Sequence, residues 1–252
     1  MATSSSTNLP VADITGAALF LDFDGTLVGF ADNPEEVAVP PRLGDWLSSL
    51  KQRTSGALAI VTGRQIASID DFLSPLILPV AGVHGLEKRL PDGRRMSQPV
   101  PADAFGAIVD RMKAFAARHE GLLVEDKGAS AVLHFRRRPE LEAICQEAAH
   151  AALGPSSDFE VKPGHCIVEI KSALANKGTA VQDFMALAPF KGRRPIFVGD
   201  DVTDEDGFRE VNKMGGMSIK VGHGDTLAKH RFASPDTVHQ WLAQLTAPEK
   251  TS

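Results

Sequence analysis

The stretch Leu19-Phe20-Leu21-Asp22-Phe23-Asp24-Gly25-Thr26 limits the choice of folds more than any other part of this chain. The unbroken apolar run 17–21 reads as a strand buried on both faces, the pattern of a parallel sheet covered by helices. It ends in two carboxylates one residue apart. Anions at the mouth of a sheet repel, so one is expected to carry a proton or both to be neutralised by a cation. In chemical terms, Asp22 stands where a nucleophile would attack phosphorus. Asp24 stands where an acid/base would protonate the leaving oxygen and later activate water. The competing reading is a strand followed by an Asx-type turn, and this pattern alone does not separate the two.

The stretch resembles the nucleophile motif of the haloacid dehalogenase superfamily of phosphohydrolases. That resemblance implies a Rossmann-like α/β core, a Mg²⁺ ion and three further motifs in a fixed order. A second apolar run, 57–61, ends in Thr62-Gly63-Arg64. A hydroxyl, a glycine N–H and a guanidinium at a strand end suit phosphate binding, although Thr-Gly-Arg also reads as a helix N-cap. Asn176-Lys177-Gly178 then opens a helical pattern, where a lysine opposes the helix dipole unless an anion offsets it; a bound phosphate is the expected anion. Lastly, the strand-like run 195–199 ends in Asp200-Asp201-Val202-Thr203-Asp204-Glu205-Asp206, five acids in seven residues. Such density calls for a hard divalent cation, and Mg²⁺ needs only one or two carboxylates with water and substrate oxygens. Asp22, Asp200 and the backbone carbonyl of Asp24 are the expected ligands, with Asp201 and Asp204 orienting metal-bound water or closing the loop.

Between these motifs the chain has other business. Leu43, Trp46, Leu47 and Leu50 recur at helical spacing, a helix is expected over 65–73, and a third apolar stretch covers 76–83. His84, at the end of that stretch, reads as a hydrogen-bonded structural group rather than a catalytic one. A hairpin is expected over 86–96 around Pro91-Asp92-Gly93. Residues 99–171 are far too many for a loop, and they repeat the order helix, strand, strand. One helix carries Phe105, Ile108, Val109, Met112, Phe115 and Ala116, and a second, opened by Pro139, carries Leu141, Ile144, Ala148 and Ala152. Their strands alternate apolar and polar residues, Ala131, Leu133 and Phe135 against Val132, His134 and Arg136 in one of them. The expected architecture is therefore α/β, a parallel-sheet core (1–98 and 172–252) with an inserted α+β cap (99–171) of two helices on a small antiparallel sheet. A last strand over 217–221 and a helix with Val238, Trp241, Leu242 and Leu245 complete the core.

Several function classes are excluded early. A net charge of −5 argues against a general binder of nucleic acid or anionic membrane. Two cysteines, Cys145 and Cys166, make no disulfide framework or metal-ligand spacing and read as reduced and structural. No run reaches membrane-spanning length and no secretory signal is recognisable, so a cytoplasmic location is expected, with a disordered leader to about Asp13.

More of the wording is similar to the trehalose-6-phosphate phosphatase family: Leu-Asp-Phe-Asp-Gly-Thr-Leu (21–27), Val-Thr-Gly-Arg (61–64), Gly-Val-His-Gly-Leu-Glu (82–87), Val-Glu-Ile-Lys (168–171), Asn-Lys-Gly (176–178) and Gly-Asp-Asp-Val-Thr-Asp-Glu (199–205). The resemblance implies Thr62 and Lys177 as phosphoryl-binding catalytic groups beside Asp22 and Asp24. It also implies that Glu125, Lys127, Arg136 and Glu169 of the cap hold the distal sugar, with Arg64 contributing to substrate binding. A trehalose-6-phosphate synthase is the implied functional partner. Where the family commonly has Gly-Lys before Val-Glu, this chain has Gly164-His165, a titratable group in place of a permanent cation. The alternatives are another capped sugar phosphatase, such as one for sucrose phosphate, a non-catalytic phospho-sugar sensor, or a receiver-like signalling domain.

Overall fold

A computed structural model describes residues 14–31, 36–98, 101–126, 128, 130–155, 158–164 and 166–247. The expected leader lies outside them. The central strand is β1 (Ala17–Leu21), buried along its whole length. Its odd residues Ala17, Leu19 and Leu21 join one apolar cluster, and Ala18 and Phe20 join another on the opposite face. This period of two is what a strand sandwiched between helices requires. Leu19, Phe20 and Leu21, all fully buried, contribute about 1.5–3 kcal/mol each, enough to offset the several kcal/mol of bringing a charge close to the interior.

The large sheet adds β2 (Leu58–Val61), β3 (Val80–Gly82), β4 (Glu87–Arg89), β5 (Arg95–Ser97), β10 (Arg194–Gly199), β11 (Met217–Val221) and β12 (His230–Phe232). Its order is β12-β11-β10-β1-β2-β3-β4-β5. The first six strands run parallel and the β4–β5 hairpin closes one edge antiparallel. Helices α1 (Leu43–Arg53), α2 (Ile66–Leu73) and α7 (Pro235–Thr246) cover one face, burying Leu43, Leu47, Leu50, Ile66, Ile69, Leu73, Trp241 and Leu242. On the other lie α5 (Lys177–Met185) and α6 (Asp204–Lys213), with Phe184 and Phe208. The apolar stretch 76–83 forms a strand only over its last part, Val80–Gly82, and β12 is a further strand where none was expected.

A separate four-stranded antiparallel sheet is built from β6 (Leu123–Asp126), β7 (Ser130–His134), β8 (Phe159–Gly164) and β9 (Ile167–Ser172), in the order β6-β7-β9-β8. Helices α3 (Ala102–Ala116) and α4 (Glu142–Leu153) cover one face of it, and Phe105, Met112, Leu133, Cys145, Ala149 and Ile170 fill the space between. Two expectations need correcting. Pro139 opens a short 3-10 turn, Pro139–Leu141, before α4 begins; the buried face of α4 is Cys145, Ala149 and Ala152, and Ile144 is exposed. The strand expected through Arg136 ends at His134, so Arg136 sits exposed in the following turn rather than on the sheet's polar face.

Candidate active site

At the carboxyl end of β1 the Asp22 N–H donates to the Val198 carbonyl of β10 (2.9 Å), so the parallel pairing itself fixes where the first carboxylate emerges. The Lys177 ammonium donates to Oδ1 of Asp22 (2.8 Å) and to Oδ1 of Asp204 (2.7 Å), and all three side chains are buried. The anion expected to offset Lys177 is thus found within the protein. Asn176 caps α5 by accepting from the Thr179 N–H (2.9 Å), with Thr179 bonding back, which sets the angle at which Lys177 enters the site.

Both oxygens of Asp204 are engaged. Besides Lys177 it accepts at Oδ2 from the N–H groups of Asp200 (3.1 Å) and Asp201 (2.9 Å), closing the acidic loop over the start of α6. The Asp201 side chain is exposed. Asp200 is held from behind by the Lys220 ammonium, which donates to its carbonyl oxygen. In front of it runs the Asp24–Thr26 turn. Gly25 has φ of +71°, and a Cβ there would stand 2.1 Å from Oδ2 of Asp200, so only glycine permits this turn to pass.

Asp24 faces a different cation. Arg64 donates from Nε to Oδ2 (2.7 Å) and from Nη2 to Oδ1 (2.6 Å) in a two-point fork, with its guanidinium over the rings of Phe72 (4.9 Å) and Phe23 (5.8 Å). Thr62 is buried, and its oxygen accepts from the Arg64 N–H (3.1 Å), leaving the hydroxyl proton free to be donated. Glu87 accepts from the Ile66 N–H (2.5 Å) and so caps α2, whose own N-cap residue Gln65 makes no such bond.

Burial pushes the Asp22 carboxyl well above the usual range, with the Asp204 charge adding to it and Lys177 opposing. Asp200 is pushed up to about 7, by burial first and then by the charge of Asp204. Burial also raises Asp204, against Lys177. For Lys177 burial works the other way, but the charges of Asp204 and Asp22 outweigh it and hold the amine protonated well above the ordinary lysine range.

The polar face of the small sheet carries Glu125, Ser130, Val132, His134, Glu160, Lys162, Glu169 and Lys171, since their strand neighbours fill the apolar side. Val132 and Glu169 are buried there, whereas Glu125 and His134 on the same face stay about a third exposed, so only the part around Glu169 is covered. Glu169 Oε1 lies 4.0 Å from Nε2 of His84, at the end of β3 in the large sheet's territory. Glu125 pairs with His134 (3.0 Å), and Glu160 receives both Lys162 (3.3 Å) and Lys171 (3.6 Å). Lys127 and His165 lie outside the described residues.

Residues 20–237 match the family model described as trehalose-phosphatase. The chain belongs to the trehalose-phosphatase family. It is 46% identical over 214 residues to a probable trehalose-phosphate phosphatase of Sinorhizobium fredii, covering 83% of this chain and 79% of the relative. To the trehalose-6-phosphate phosphatase of Escherichia coli it is 38% identical over 229 residues, covering 91% and 86%. Among solved structures, the C-terminal domain of C. albicans trehalose-6-phosphate phosphatase superposes with a TM-score of 0.81 at 20% identity, covering 92% of this chain and 93% of that one, which shows the shared fold.

For a member of the trehalose-phosphatase family, the acidic cluster has the composition a divalent ion requires. Asp22, Asp200 and Asp204 bring oxygens within 4.8 Å of one another, and Lys177 offsets one of three charges, leaving two. Oδ1 of Asp200 is buried and has no hydrogen-bond donor among the described residues, while the oxygens of Asp204 are already engaged. The residues therefore fit a small dication held by Asp22 and Asp200, with Asp204 positioning Lys177 and the loop.

Sequence reasoning passed over Lys220, Glu160 and Lys162, met Glu87 only within the motif 82–87, and set Lys171 on the polar face of its strand without giving it a role. Lys171 was visible inside Val-Glu-Ile-Lys, and period-two alternation from Glu169 puts it on the polar face; Lys220 carries no comparable signal.

Proposed function

We propose that this chain hydrolyses trehalose 6-phosphate to trehalose and inorganic phosphate through an aspartyl phosphate on Asp22. The observation that carries the reading is the Asp22 carboxylate paired with the buried Lys177 beside the unpartnered oxygen of Asp200, at the end of the central parallel strand. Mg²⁺ bound by Asp22, Asp200 and the Asp24 carbonyl would supply charge neutralisation for phosphoryl oxygens. Thr62 and Lys177 bind phosphoryl oxygens and aim phosphorus at Asp22. Asp24 then delivers a proton to the sugar oxygen as the P–O bond breaks, and afterwards takes one from the attacking water. Both oxygens of Asp24 are engaged by Arg64, so that proton transfer requires the fork to open.

Residues 99–171 act in this reading as a cap over the core formed by 1–98 and 172–252. Glu125, Lys127, Arg136 and Glu169 hold the sugar hydroxyls. Support comes from the separate apolar interior of 102–172 and from the meeting of Glu169 with His84. A synthase transferring a glucosyl group from an activated donor to glucose 6-phosphate, with release of the donor's leaving group, would supply the substrate, and a shared cytoplasmic location would follow. No helix of the described residues is long and apolar enough to cross a membrane.

The deciding experiment is a panel of trehalose 6-phosphate, sucrose 6-phosphate, glucose 6-phosphate and an aryl phosphate. Preference for trehalose 6-phosphate in kcat/KM by tenfold or more, on the order that several charged hydrogen bonds provide, is expected. A preference for sucrose 6-phosphate would replace the substrate assignment, and no phosphate release from any of the four would remove the enzymatic reading.

A further inference from the structure

His84 occupies a position that costs the backbone free energy. Val83 and His84, in the 3-10 turn Val83–Gly85 after β3, have φ of 48° and 55°, two successive non-glycine residues in the left-handed region. Such a pair persists only where the surroundings over-determine it, and that happens most at functional sites. Here the surroundings are the phosphate loop. The Val83 N–H donates to the Arg64 carbonyl (2.9 Å) and the His84 N–H to the Thr62 carbonyl (2.9 Å), tying the turn across both ends of Thr62-Gly63-Arg64. The imidazole lies over the middle of that loop: a Cβ on Gly63 would stand 2.8 Å from Cε1 and 2.9 Å from Nε2 of His84. On its far side, Nε2 lies 4.0 Å from Oε1 of Glu169, which projects from β9 of the small sheet.

We propose that His84 is a specificity-determining residue that, together with Glu169, binds a hydroxyl of the sugar ring bearing the phosphate. The inference rests on the trehalose 6-phosphate reading of the site. That ring is joined to phosphorus through one oxygen and one methylene, so it must lie where the phosphate loop meets the small sheet, and the imidazole is at that seam. Nε2 and the carboxylate are too far apart for a direct hydrogen bond. One oxygen between them bridges such a gap. A sugar hydroxyl suits it when Nε2 carries the proton, because it then accepts from the imidazole while donating to the carboxylate. Gly63 then has a task besides approaching phosphate: it leaves the space in which the ring rests.

The test compares kcat/KM for trehalose 6-phosphate and for an aryl phosphate in His84→Asn, His84→Gly, Gly63→Ala and the Gly63→Ala/His84→Gly double variant. Asparagine and glycine both tolerate the left-handed backbone, so the turn survives while the imidazole is lost. Each single variant should lower the ratio of trehalose 6-phosphate to aryl phosphate turnover by roughly tenfold, mainly through KM. Adding Gly63→Ala to His84→Gly should lower that ratio by less than about twofold further, because the methyl group acts by displacing a ring already absent. A ratio unchanged in His84→Asn and His84→Gly, with equal losses on both substrates, would show that the ring only braces the phosphate loop and overturns the proposal. Additive effects of Gly63→Ala and His84→Gly on the ratio would overturn the role assigned to Gly63. If wild type itself shows no preference for trehalose 6-phosphate over the other sugar phosphates, the substrate reading fails; if it does and the His84 variants retain it, only the present inference fails.

Discussion

Asp22 and Asp204 share one ammonium, so an amide at position 22 leaves Lys177 with a partner and removes a charge that burial disfavours. Asp22→Asn is therefore expected to fold with an unchanged or higher Tm while losing essentially all phosphate release, because the amide cannot attack phosphorus. Activity near wild type would sink the mechanism. Asp24→Asn should break the Arg64 fork yet keep the nucleophile, giving a nearly inactive protein that gains the mass of one phosphoryl group in intact-mass measurements. A nearly inactive variant with no such adduct after incubation with substrate would place the defect before phosphoryl transfer. At this scale most of the core site was legible in the sequence, because Asp22, Asp24, Thr62, Lys177 and Asp200 each stand at a strand end or helix start that an apolar run marks. The inward turn of Asp204 toward Lys177 was not, since nothing in an acidic run says which member turns inward. Nor was the position of His84, since a left-handed histidine leaves no trace in hydropathy.

At the scale of elements, β9 carries the interest. Val168 and Ile170 lock it into the interior of the small sheet, while Glu169 and Lys171 emerge, buried, on the polar face. Glu125 emerges on the same face from β6. If these carboxylates hold sugar hydroxyls, Glu125→Ala and Glu169→Ala should each lose about 1.5–3 kcal/mol of transition-state binding, roughly ten- to a hundredfold in kcat/KM for trehalose 6-phosphate. The loss on a small aryl phosphate should be much smaller. Equal losses on both substrates would mean that the two residues support the sheet rather than read the sugar. The order of helices and strands from 102 to 172 was readable because each strand alternates and each helix carries a stripe. The failures were local. β12 is three residues with only Phe232 buried, too short and polar to announce itself, and it exists because β11 offers a parallel edge. The buried face of α4 differs from the one that helical spacing from Pro139 predicts, because Pro139–Leu141 form a 3-10 turn with a different angular step before the α-helix begins.

For the whole molecule, the acidic cluster makes stability depend on metal and pH together. Asp200 titrates near 7 in the folded protein, and Asp22 and Asp204 are raised as well, whereas in the unfolded chain these carboxyls ionise near the ordinary 3.8. The folded state thus holds protons that the unfolded chain has released. This contribution to stability is present below about pH 4 and is lost as pH rises through about 7. Thorough removal of divalent ions should abolish activity reversibly, and the metal-free protein should show a Tm that falls between about pH 4 and 7. Millimolar Mg²⁺ should flatten that slope by replacing the protons with a permanent charge. A metal-free Tm that rises over the same range would contradict the raised carboxyls, and turnover undiminished by chelation would contradict the metal assignment. Asp200→Ala should lose the response to Mg²⁺ while remaining folded.

The two apolar clusters of the large sheet and the one beneath the small sheet have no member in common. A substitution that repacks the interior of the small sheet, away from the seam, is therefore expected to add to changes made in the large sheet, whereas the two interiors of the large sheet are coupled through the backbone of β1 that they share. If the small sheet reads the sugar as proposed, the chain offers in evolutionary terms two separately heritable traits, what bond is cut and which molecule presents it. A descendant lineage can drift toward a new sugar through the small sheet without first crossing a variant that has lost its nucleophile. The seam at His84 and Glu169 is where that independence ends, and a change of diet would have to be negotiated there.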